Sequence, residues 1–186
     1  AFMKWSWFAG YYTNGQPRQT EEQSHNEDLL HEIDTITPIS LEAQIKLLQL
    51  KGAVLLSARK PKESLSSIME LLELLKTCEV KGNENTSILR NALANAAVIS
   101  AQLKNAESAF DYLTQLEACF VGSENQWLLR STALTVFLLQ KNNAAAYAYI
   151  AEHKEDLTRS EFEFDIRASH VLFQCAVVCF IQEEFK

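Results

Sequence analysis

His25, Glu27, Asp28, His31 and Glu32 crowd into a single short stretch, and their side chains are the types that ligate metals. His31 follows Glu27 by four and Asp28 by three, so a helix would put the three on one face. Solvated helix ends carry the same spacing, and that is the reading adopted: no metal or other cofactor is expected. His170, Cys175 and Cys179 suggest a second chemistry, a Cys–His nucleophile. Cys175 is the fifth residue after His170, which takes the two off a shared helical face, and packing explains them more simply. Cys175 and Cys179 do share a face. With Cys78 and Cys119 they follow no zinc or disulfide spacing, so core cysteines in a reducing compartment are expected. Phosphate-cradling loops are missing, because the five glycines stand apart at 10, 15, 52, 82 and 122. No serine lies in a G-x-S-x-G setting. The expectation is a chain that is not an enzyme and has no catalytic residues.

Composition points the same way. Apolar residues make up 47% of the 186, enough for a continuous core. A net charge of −7 argues against nucleic acid as a partner, since phosphate binding needs a cationic surface. Asn85-Thr86-Ser87 matches a glycosylation acceptor, a triplet common by chance. The opening AFMKWSWFAGYY is rich in aromatic residues, too short to span a bilayer and interrupted by Lys4. It reads as an aromatic plug on the core of an array, or as the membrane-proximal end of a longer protein. Residues 1–36 are therefore expected to be an aromatic segment and acidic linker, with a short helix near 27–34.

From 37 to 186 the pattern is helical. Thr37-Pro38 reads as an N-cap with proline at the first helical position. Pro61 and Gly82 punctuate the next helices, while Ser123–Gln126 and Ser160–Glu163 fit the capping box. The expected hairpins pair 38–58 with 61–77, 86–103 with 106–119, and 124–140 with 143–153. A helix over 161–181 then begins a fourth pair, whose turn is read at CFIQEEFK with Phe185 as its aromatic residue. On this reading the array is truncated at its C-terminal end.

The chain also repeats a phrase: LKNAESAFDYL at 103–113 returns as QKNNAAAYAYI at 140–150. Each copy straddles a turn between two helices. Small residues recur beside these turns, as helices crossing closely require. Gly52, Ala97 and Ala176 lie on first helices, with Ser64, Ala109 and Ala146 on second helices. Leu48, Leu93 and Leu172 precede the first set by four residues, and Ile68, Leu113 and Ile150 follow the second by four. In the third pair Leu134 stands where a small residue is expected, beside Ala133. Phe110 and Tyr147 are read as packing between hairpins, and Tyr112 and Tyr149 as turning their hydroxyls to water.

These leucine–small and small–large pairs resemble the tetratricopeptide (TPR) repeat family from about residue 38 onward. Spacings of 45, 37 and about 42 exceed the family's usual length of about 34. The family's Trp is replaced by Leu or by Arg130, and its closing Pro is missing, so the likeness is to a degenerate form with longer helices. The resemblance implies an all-α fold, a right-handed superhelical array of antiparallel helix hairpins. It implies a non-catalytic scaffold or adaptor, cytoplasmic, holding a peptide segment or partner subunit in its groove. In register, that groove is lined by Lys46, Gln49, Ala53, Asn91, Ala94, Val98, Ser131, Thr135, His170, Phe173 and Val177. The family's carboxylate clamp has no counterpart, so an extended or helical partner segment is expected. Self-association through exposed ends is a further expectation. The alternatives are a sensory or regulatory domain of a membrane-anchored protein, such as a transcription regulator, and a helical enzyme or small-ligand binder.

Overall fold

A computed structural model describes residues 19–77, 83–121, 126–154 and 172–180, whose regular structure is helical with no strand among them. Two compact units divide the chain at 81/82. The boundary falls within the stretch read above as one repeat domain.

The first unit holds α1 (Gln19–Thr35), α2 (Leu41–Ser57) and α3 (Pro61–Thr77). Leu30 and Ile33 of α1 are buried with Val54 and Leu55 of α2 and Ala58 beyond it. The Lys51 ammonium reaches the Asp34 carboxylate at 2.7 Å across the same two helices. α1 is longer than the short helix expected from sequence. α2, in turn, starts at Leu41 and not at Pro38. Its N-cap is Ser40, whose hydroxyl accepts the Ala43 N–H at 3.1 Å. Ile39 is 98% exposed, so continuing the helix back through Pro38 would bury nothing.

The second unit holds α4 (Asn83–Gln102), α5 (Ala106–Ala118), α6 (Trp127–Leu139), α7 (Asn143–Glu152) and α8 (helical residues 172–180). The capping box at Ser123, the helix start at 161 and the turn at 181–186 lie outside the described residues, as do Cys78, His170 and the N-terminal aromatic stretch. α6 begins at Trp127, and its cap residue Gln126 makes no side-chain cap bond.

One turn closes three hairpins. After α2, the N–H of Lys60 returns to the Leu55 carbonyl and that of Arg59 to Leu56. Asn105 and Lys104 repeat these bonds to Ser100 and Ala101, and Asn142 and Lys141 to Phe137 and Leu138. This is the Schellman arrangement, in which one residue turns left-handed and frees the chain to reverse. Arg59, Lys104 and Lys141 take that residue's φ, at 58°, 62° and 55°. The next residue already caps the following helix: Asn105 accepts from Ser108 N–H and Asn142 from Ala145 N–H, each at 3.1 Å. Pro61 opens α3 without an N–H to satisfy. The repeated Lys-Asn is therefore the signature of a turn with no residue to spare.

So short a turn forces the two helices together, and side chains twelve residues apart meet at the crossing. Gly52 meets Ser64, whose hydroxyl donates to the Gly52 carbonyl at 2.8 Å. Ala97 and Ala109 are both fully buried in one cluster with Ala101 and Val136. Leu134 and Ala146 occupy the third crossing, both fully buried, with Trp127 and Val178 around them. There the larger Leu134 replaces the small residue and Ala146 alone makes room. Ala176, read as the next small residue on a first helix, is exposed.

Candidate functional site

Within the second unit, two hairpins are clasped turn to turn. Lys104 Nζ donates to the Leu139 carbonyl at 3.1 Å, and Gln140 Nε2 donates back to the Ala101 carbonyl at 3.0 Å. Both acceptors lie in the last turn of a helix, where carbonyls are short of helical partners. The Ala101 carbonyl also takes the Lys104 N–H, and at Leu139 the helix dipole favours the Lys104 cation. Apolar packing continues from the clasp: Phe110 of α5 lies 5.9 Å from the Phe137 ring of α6, which lies 5.7 Å from Tyr149 of α7.

α6 is buried at Trp127 and again from Leu129 through Val136. Arg130 Nη1 donates to the Tyr149 hydroxyl at 3.0 Å, with its guanidinium 5.5 Å from the same ring. The Tyr149 hydroxyl is thus engaged by Arg130 and does not face water as expected. Burial raises the Tyr149 phenol above its ordinary pKa, and the bond from Arg130 works against that rise. Tyr147, expected between hairpins, is exposed instead. In the sequence Arg130 stands out only as a substitute for an aromatic; its place against Tyr149 explains a charged residue in this wall.

α8 closes over α6 through one face. Val178 is fully buried, and Gln174, one turn earlier, donates its Nε2 to the Thr135 hydroxyl at 2.6 Å. The Thr135 hydroxyl in turn donates to the Ser131 carbonyl at 2.8 Å. Cys175 is half-buried here, and burial, with the neighbouring Cys179 adding to it, pushes its thiol up to about 11. The other face of α8 is apolar and open: Phe173 is 66% and Phe180 64% exposed, with Ala176 between them at helical spacing. Leu172 is exposed as well.

The residues assigned to a groove fall in different settings. In the first unit Lys46 is exposed and pairs with Glu42, whose carboxyl it holds below the ordinary range, while Gln49 and Ala53 are half-buried. In the second, Asn91 is half-buried and donates to the Ser87 carbonyl at 2.8 Å, and Ala94, Val98, Ser131 and Thr135 are buried. Phe173 is open, Val177 is half-buried, and His170 lies outside the described residues. Ser131 and Thr135 come together with Gln174, which sequence reasoning misses; only its place one turn before Val178 hints at an inward position. Phe180 is legible as apolar, but nothing in the sequence assigns it to the surface.

The side chains His25, Glu27, Asp28, His31 and Glu32 are exposed on α1. Among the described residues, no group of three or more His, Cys, Asp or Glu side chains is arranged to hold a metal ion. No helix among them is long and apolar enough to cross a membrane. Compared with protein-family models, with curated proteins and with solved structures, the chain matches none.

Proposed function

We propose that this chain is a TPR-like helical-repeat module that binds a segment of another protein and performs no chemistry of its own. On this reading its hairpins are repeats of the superhelical type, and the partner lies along first helices. The observation that carries the proposal is the open apolar face of α8, where Phe173 and Phe180 stand exposed while Gln174 and Val178 anchor the opposite face. Exposed aromatic side chains on a well-anchored helix are the usual energetic centres of a protein–protein contact. Support for the repeat comes from the clasp between Lys104, Leu139, Gln140 and Ala101. It brings the turns of two hairpins side by side, a contact that stacked repeats would make.

Lys46 and Gln49 of the first unit and Asn91 of the second remain candidate contacts, each within its own unit. Buried Ala94, Val98, Ser131 and Thr135 act from beneath by fixing helix positions. Affinity capture with the intact protein tests the proposal, comparing native sequence with Phe173→Ser and with Lys46→Glu combined with Asn91→Trp. The expected result is a discrete co-purifying protein lost from the Phe173→Ser sample and weakened in the second, with unchanged circular dichroism. Capture that is indifferent to both changes contradicts the reading.

A further inference from the structure

The segment between α1 and α2 reads TITPIS, and its three hydroxyls have different fates. Thr35 Oγ1 donates to the Glu32 carbonyl at 2.7 Å. Ser40 Oγ accepts the Ala43 N–H and holds the start of α2. Thr37 is exposed, lies outside any helix, and its hydroxyl makes no hydrogen bond among the described residues. The Thr37-Pro38 pair has the composition of a helix start, yet the helix begins three residues later, which leaves this threonine unused by the fold. Its neighbours are equally open, with Ile36 exposed and Ile39 almost fully so.

A protein kinase takes its acceptor residue in an extended segment, and the segment must enter the cleft without breaking a helix. Residues 36–38 meet that condition, being without regular structure between two formed helices. Pro38 adds selectivity. It has no backbone N–H, so it suits a kinase whose site leaves the residue after the acceptor without a carbonyl partner. We infer that Thr37 is a phosphorylation site for a proline-directed serine/threonine kinase, with a nucleoside triphosphate as phosphoryl donor. In the transfer, Thr37 Oγ forms a bond to the terminal phosphorus and the bond from that phosphorus to the bridging oxygen breaks. The nucleoside diphosphate leaves, and the hydroxyl proton passes to the kinase's base. The product carries a charge of about −1.5 to −2 at neutral pH. It stands three residues after Asp34, whose carboxylate binds Lys51 and so ties α1 to α2. A dianion beside that pair competes for Lys51, so modification is expected to loosen α1.

The test is incubation of the full chain with a cyclin-dependent kinase and ATP, followed by peptide mass spectrometry. The expected result is one phosphoryl group on Thr37, none on Thr35 or Ser40, and none on a Thr37→Ala chain. Pro38→Ala should slow transfer on the order of tenfold or more. Hydrogen exchange should then speed up in residues 25–35 of the modified chain and not in α3. Absence of transfer to Thr37, equal labelling of Thr35 or Ser40, or a rate indifferent to Pro38→Ala each overturns the assignment.

Discussion

The Ser64 hydroxyl donates to the Gly52 carbonyl at 2.8 Å, where α2 and α3 cross. Gly52 already makes its helical bonds, so this is an added bond, accepted by a carbonyl with a second lone pair. The contact exists because no larger side chain intervenes: a Cβ placed on Gly52 would lie 3.3 Å from Ile68 Cγ1. Ser64→Ala is therefore expected to cost about 1–2 kcal/mol, as the loss of a buried hydrogen bond does. Gly52→Ala should be close to neutral, because a gain in helix propensity of about 1 kcal/mol offsets the tight contact. Gly52→Val should cost about 1–3 kcal/mol through overpacking. Urea denaturation of the three variants checks the order.

The second crossing has no polar bond to lose. Ala97 and Ala109 are fully buried with Val136 of the adjoining hairpin against them. Ala109→Leu should overpack this site by about 1–3 kcal/mol, measured as a lower denaturation midpoint at unchanged slope. A neutral result would show that the helices can separate without penalty and that the close crossing is not required.

The turns allow a differential prediction. Lys104 and Lys141 both hold a positive φ, which glycine adopts freely. Lys141→Gly should stabilise by about 0.5–1 kcal/mol, relieving the left-handed strain. Lys104→Gly should gain less, because it also removes the donor to the Leu139 carbonyl. Asn105→Ala and Asn142→Ala should each cost about 1 kcal/mol as lost N-caps. Equal effects of the two lysine changes would mean that the Lys104–Leu139 bond contributes nothing to stability.

Cys175 gives a pH test. Its thiol is raised from 9.0 to about 11 in the folded chain, chiefly by burial. The associated stability is fully present below pH 9 and is lost as pH rises through about 11, because the unfolded chain ionises first. Alkylation of Cys175 by iodoacetamide should accordingly be slow at pH 8 and accelerate steeply above pH 10. Peptide mass spectrometry over that range reads the profile, and a rate plateau near pH 9 would contradict the buried setting.

Much of this architecture is legible in the residues. The Lys-Asn phrase and the small residues twelve apart give both the hairpins and their crossings, because each position is fixed by local backbone geometry. Pro61 likewise places α3 where the sequence puts it. The misses lie at the level of contacts between elements. Thr37-Pro38 and Ser40 both carry start signals, and only the exposure of Ile39 decides between them. Tyr149 looks solvent-seeking until Arg130, nineteen residues away, is brought against it. Four of the groove residues satisfy the register of a repeat and are still covered, because register sets a direction and not what packs against it. Gln174 is invisible for the same reason: its role depends on Thr135, thirty-nine residues earlier.

Photo-crosslinking from the face of α8 tests the central claim most directly. Phe173→benzoylphenylalanine in the full protein, in the cells it comes from, places a reactive group where a partner is expected to sit. Lys62, exposed on α3, serves as the control position. The account predicts a discrete protein adduct from position 173 that is absent from position 62 and is lost when Phe180→Ser is added. No adduct at 173, or the same adducts from both positions, would contradict the account of this face as a binding surface.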